Sequence, residues 1–152
     1  MPTRMHLIAG LVATLAIATF FVSSVLVEIF GDHETVARLK ALILMPGLLI
    51  LIPALAVTGA SGFVLAKTRK GRLVDEKKKR MPFIAANGLL VLIPCAIVLD
   101  RWASAGVLDT SFYVVQGIEF LAGAVNLTLM GMNIRDGMSM SGRTRATPAV
   151  AL

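Results

Sequence analysis

Four long stretches nearly free of charge, residues 7–27, 41–66, 81–99 and 110–134, dominate the chain, and Glu119 is the only charge within them. At a helical rise of about 1.5 Å per residue, each covers roughly the 30 Å hydrocarbon layer of a bilayer. Lipid offers no partner to a backbone N–H or C=O, so a crossing segment must close its hydrogen bonds as a helix or within a sealed barrel. The alternating segments of about ten residues that a barrel requires are absent from the sequence. The predicted fold class is therefore an all-α integral membrane protein, a four-transmembrane-helix bundle with spans at about 6–29, 36–67, 82–102 and 110–135 and a mobile tail at 141–152. Composition agrees, since 57% of the residues are hydrophobic and only 16% are charged, too few to cover a soluble domain. Arg4 before the first apolar run imitates a secretory signal, but that run exceeds the usual ~7–15 apolar residues and no polar mature domain follows, so a retained span is expected.

Positive charge sets the expected orientation. Twelve of the 15 Lys and Arg residues fall at the N-terminus, in the 67–80 loop and after residue 134, against Arg38, Lys40 and Arg101 on the other side. The positive-inside rule then places both termini and the basic loop between the second and third helices in the cytoplasm, with the chain in a cell inner (cytoplasmic) membrane. The net charge of +6 is thereby read as topology rather than as a nucleic-acid surface. Lys77, Lys78, Lys79 and Arg80 are expected to contact lipid headgroups. Membrane lipids and a homo-oligomeric or membrane-complex partner are the expected associations, and nucleic acid is not. The opposite side carries Glu28, Asp32, Glu34, Asp100 and Asp109 and should be acidic. Cys95 is the single cysteine, which excludes an intrachain disulfide and any paired-thiol chemistry.

Local signals refine the spans. Thr35 is a suitable N-cap for the second helix, whose polar turn at 36–40 is expected to project beyond the outer surface. Pro46 and Pro53 should bend that helix, Pro82 suits a first turn, and Asp109 or Thr110 can cap the last helix. Trp102 and Tyr113 fit the headgroup layer. Asp75 with Lys79 and Glu76 with Arg80 stand at i,i+4, as on a solvated helix. The segment Gly47-Leu48-Leu49-Ile50-Leu51-Ile52-Pro53 is echoed by Gly88-Leu89-Leu90-Val91-Leu92-Ile93-Pro94, in spans that cross in opposite directions, as in the inverted repeats of transporters.

The fourth span carries the most informative pattern. Gln116, Glu119, Gly123, Asn126, Met130 and Asn133 advance in steps of three and four, so they share one helical stripe that should face the bundle interior. None of the four apolar stretches contains a Lys, Arg or His, so Glu119 is expected to lack an internal counter-charge and to be protonated, hydrated or matched by a bound partner. Depth counting places Thr19 and Ser23 near its level, with the Leu49 and Leu90 carbonyls freed by Pro53 and Pro94, and sets Asn87 beside Asn126. The candidate proton, ion or binding site is accordingly Glu119, Gln116, Asn126, Asn87, Thr19 and Ser23.

Two histidines 27 residues apart cannot share a haem, since a helix of that length separates them by ~40 Å. A haem b held by His6 with a methionine such as Met130, Met132, Met138 or Met140 is the one cofactor alternative to none. The chain holds no phosphate-binding glycine loop, metal-ligand spacing or nucleophile with its base, which argues against an enzyme. Three functions follow in order: an accessory or structural subunit binding a membrane partner or itself through the Glu119 stripe, a small proton, cation or solute transporter using Glu119, and a haem-binding electron carrier through His6.

Overall fold

The computed structural model describes residues 2–68 and 71–145, and all regular structure among them is helical. The elements are α1 (Pro2–Phe30), α2 (His33–Leu42), a π-turn at Ile43–Gly47, α3 (Leu48–Thr68), α4 (Arg72–Asn87), a second π-turn at Gly88–Leu92, α5 (Ile93–Ser104) and α6 (Thr110–Arg145). With α2 running into α3 and α4 into α5, four helical segments are long and apolar enough to cross a membrane: Thr3–Phe30, His33–Lys67, Arg72–Ser104 and Thr110–Ser139. The polar segment before Pro82 is helical from Arg72 onward and continuous with the third span, and α6 continues to Arg145. Helix thus extends into the expected tail at 141–152, whose last seven positions lie outside the described residues.

Both interruptions trace to proline. Pro46 donates no backbone hydrogen bond, and at Met45 the chain leaves helical geometry (φ −140°, ψ 115°), with a cis Met45–Pro46 bond. Helix α3 restarts when the Leu48 N–H reaches the Ile43 carbonyl. At the second site, Pro94 would press its ring on the carbonyl four residues back, and the widened turn Gly88–Leu92 absorbs this, the Ile93 N–H bonding to the Gly88 carbonyl. The repeated heptapeptides therefore differ in structure. Pro53 lies inside α3 while Pro94 opens α5, so similar sequences do not take equivalent backbone paths.

The two π-turns divide the bundle into halves. Toward one end α1 packs on α3 and α4 on α6, around a core of Ala13, Ile17, Leu51, Ile84 and Met130. Toward the other end α2 lies on α5 and α1, and α5 on α6, around Val36, Cys95, Leu99, Ala103 and Phe112. We term these the basic and acidic ends after the charges they carry. Close approach depends on missing side chains. A Cβ on Gly47 would stand 2.7 Å from Phe20 Cζ, and one on Gly123 3.1 Å from Phe21 Cδ2, so α1 is seated against the first π-turn and α6 through glycine.

Asp32, not Thr35, caps α2. Its carboxylate accepts from the Thr35 hydroxyl at 2.6 Å and the Thr35 N–H at 2.8 Å, and these bonds hold it below the usual carboxylate range. The helix thereby begins at His33, and Val36 and Lys40 within its polar turn are buried against the bundle. For α6 the cap is Asp109, accepting from the Phe112 N–H at 3.1 Å.

Candidate functional site

Along α2 and the π-turn that follows it, Val36, Lys40, Ile43 and Gly47 recur at helical spacing, and all four are buried. Lys40 therefore points into the bundle with its apolar neighbours and is only 1% exposed. Its Nζ donates to Glu119 Oε2 at 2.8 Å, forming an ion pair in which the glutamate side chain is 13% exposed. The expectation that Glu119 has no internal counter-charge is thus corrected. The four-carbon lysine stem carries Nζ from α2 to the Glu119 carboxylate on α6.

Gln116, one turn before Glu119, is 2% exposed and donates from Nε2 to the same Oε2 at 2.8 Å. Glu28 lies near the end of α1, within electrostatic range of Lys40 and Glu119. Glu28 Oε1 and Gln116 Oε1 are buried without a hydrogen-bond donor among the described residues. The cluster at the acidic end thus holds two acids, one lysine and two acceptors able to take another proton or donor.

The α6 stripe continues toward the basic end as separate polar layers. Asn87 Nδ2 donates to Asn126 Oδ1 at 2.9 Å and to the Ala122 carbonyl at 2.8 Å, while Asn126 Nδ2 reaches the Ile84 carbonyl at 3.5 Å. These bonds tie α6 to α4 and bring the two asparagines into one pair. Two turns further on, Asn133 donates to Met81 Sδ at 3.8 Å, and Arg80 donates to Asp136 Oδ2 at 2.6 Å and to Asn133 Oδ1 at 3.5 Å. Arg80 also meets Glu76 at 3.6 Å, the expected i,i+4 pair. Asp136 is buried and extends the stripe beyond Asn133, so Arg80 turns toward α6 instead of standing solely toward headgroups.

Two residues assigned to the Glu119 level are placed elsewhere. Thr19 is exposed, and Ser23 bonds back to the Thr19 and Phe20 carbonyls of its own helix at 2.6 and 3.2 Å. Ser24, one position further round α1, is the buried serine. A serine two turns before a helix end satisfies its hydroxyl locally, so depth alone did not identify the inward face. Glu119 bonds to side chains, not to the Leu49 or Leu90 carbonyls. The residues considered for a His–Met haem are engaged separately. His6 Nδ1 lies 3.0 Å from the Thr58 carbonyl and 3.1 Å from Ser61 Oγ, its ring packs over Gly62, and Met130 sits in the apolar core. Among the described residues no group of three or more His, Cys, Asp or Glu side chains is arranged to hold a metal ion.

Comparison with protein family models, with characterised proteins and with solved structures finds no match for this chain.

Proposed function

We propose that the chain is a small proton-translocating membrane protein whose exchange site is Glu28, Lys40, Gln116 and Glu119. One observation carries this reading: a buried Lys40–Glu119 ion pair lies inside the candidate spans, and on α1 a second acid, Glu28, holds a buried oxygen with no donor among the described residues. With every group ionised the cluster holds a net charge of −1, and a net charge in an apolar interior is costly, so the site is balanced when it retains one proton. A metal cation would have to sit against the Lys40 ammonium, which already occupies Glu119 Oε2. The proton is the ligand that fits. A second proton, on Glu119, dissolves the pair and releases α2, which is joined to α3 only through the non-helical turn at Met45. Proton occupancy is thereby linked to a helix that can move. The bias of twelve basic residues to one end supports an orientation with both termini in the cytoplasm of a cell with an inner membrane.

Reconstitution in liposomes with a potassium diffusion potential and an internal pH dye tests this. Wild type is expected to carry protons, and Glu28→Gln and Glu119→Gln to lose at least ~90% of the flux, as expected when an intramembrane carboxylate is the relay. Flux equal to that of protein-free liposomes, or unchanged in both variants, overturns the reading.

A second reading, association with a membrane partner or with a second copy, rests on a different surface from the polar stripe. Gln116 and Asn126 are engaged inside the chain, but on the outward side of α6 Gly117, Ala124 and Gly131 recur every seven residues, with open space above both glycines. Native mass spectrometry would report a dimer or a retained partner that Gly131→Leu abolishes. A solitary wild-type chain would remove this second reading.

A further inference from the structure

A groove of about 500 Å³ runs between α4 and α6 at the basic end, lined by Lys79, Arg80, Phe83, Asn87, Val125 and Leu129. Its chemistry changes along its length. Lys79, Phe83 and Asn87 follow one another at four-residue steps on α4, so the groove descends ~12 Å from a cationic mouth to an apolar floor. At the mouth, Lys79 pairs with no acid among the described residues, beside Arg80, which Asp136 and Glu76 hold in place. Lys77 adds a further ammonium to the seam, its Nζ lying 3.1 Å from where a Cβ on Gly137 would stand. Below the mouth, Phe83 is 71% exposed and Val125 52%, apolar surface that neither helix covers.

We infer that this groove is a binding site for one anionic phospholipid. The phosphate lies against Lys79 and the outer edge of Arg80, and an acyl chain runs down over Phe83, Val125 and Leu129. Charge complementarity selects the headgroup. An anionic diester meets an ammonium with no acid partner among the described residues and a guanidinium already oriented by carboxylates, whereas a zwitterionic headgroup brings its own cation to the same place. The apolar floor selects a lipid over free phosphate, because an inorganic ion leaves the lower groove unfilled. The Arg80–Asp136 contact gives the lipid a structural consequence. It binds over the seam where α4 is fastened to α6, on the same helix that presents Glu119 at the other end.

Native mass spectrometry of the purified full chain, with phosphatidylglycerol and phosphatidylcholine offered at equal concentration, tests the site. Wild type is expected to retain one phosphatidylglycerol in preference to phosphatidylcholine. Lys79→Ala should lower that preference about fivefold, the factor associated with one basic residue near a membrane surface. Val125→Trp, which fills the floor, should remove the bound lipid without altering the thermal transition of the lipid-free protein. Lys67→Ala removes the same charge from the same end, but on α3 beside Phe63, and should leave the preference intact. Inorganic phosphate at millimolar concentration should displace nothing. The site is refuted if Lys67→Ala and Lys79→Ala weaken the preference equally, if Val125→Trp retains the lipid, or if phosphate displaces it.

Discussion

Replacing Lys40 with methionine keeps most of the stem and removes the charge, which isolates the ion pair from packing. Lys40 is 1% exposed and the Glu119 side chain 13%, so water cannot take the place of the ammonium without opening the bundle. Removing one partner of a buried pair costs about 3–5 kcal/mol. The bond from Gln116 survives the substitution, so the expected loss lies at the lower end of that range, about 3 kcal/mol. Unfolding in mixed micelles with increasing dodecyl sulfate, followed by helical circular dichroism, measures this. Lys40→Met with Glu119→Gln together should recover most of the loss, giving a coupling of about 2 kcal/mol in the double-mutant cycle. A single variant within ~0.5 kcal/mol of wild type, or a double variant as poor as the sum of the singles, would refute an energetically coupled pair.

Other substitutions probe the remaining layers. Asn126→Leu deprives Asn87 of one of its two acceptors but leaves the Ala122 carbonyl, so a loss of about 0.6–1.7 kcal/mol is expected in the same unfolding assay. Gly123→Val should destabilise by about 1–3 kcal/mol because the added carbon meets Phe21, whereas Gly117→Ala meets nothing and should be neutral or stabilising by up to ~1 kcal/mol. Asp32, whose carboxyl is held low by Thr35, stabilises α2 above the ordinary carboxylate range, and this contribution disappears as pH falls through its lowered value. Asp32→Asn keeps an acceptor for Thr35, so the acid-side decline in α2 stability, read by amide hydrogen exchange at residues 35–37, should flatten.

The four spans were legible because hydropathy over about 20 residues is a strong signal that tertiary context rarely overrides. The inward stripe on α6 was equally readable, since Gln116, Asn126 and their neighbours keep helical spacing and polar groups shun lipid. The partner of Glu119 was missed for an identifiable reason. A lysine just outside an apolar stretch was counted as a surface charge for topology, although Val36, Lys40, Ile43 and Gly47 placed it on a packed face. Periodicity carried across the boundary of the span would have found it. Asp136 escaped in the same way, lying three residues past Asn133 but beyond the expected end of the fourth span. In both cases a hydropathy boundary cut a helical pattern that the backbone continued. The inward serine of α1 had no such signal, because Ser23 and Ser24 are adjacent and only packing against the other helices distinguishes their faces.

The spacing of the polar layers bears on how a proton would cross. Glu119 and Asn126 are seven residues apart on one helix, ~10 Å in rise, several times the ~3 Å reach of a hydrogen bond. Between and below them lie Phe21 over Gly123 and the apolar core of Ala13, Ile17, Leu51, Ile84 and Met130. Among the described residues, a fixed chain of donors therefore does not connect the acidic cluster to the Asn87–Asn126 pair or to Arg80 and Asp136 beyond it. On the proposed mechanism, any proton leaving Glu119 toward the basic end needs water admitted by a helix displacement, and α2 is the helix that Lys40 ties to Glu119. Crosslinking α2 to α5 through a disulfide engineered into their packed faces should then abolish flux while leaving the Lys40–Glu119 pair intact. Undiminished flux in the crosslinked protein would show that α2 does not have to move away from α5.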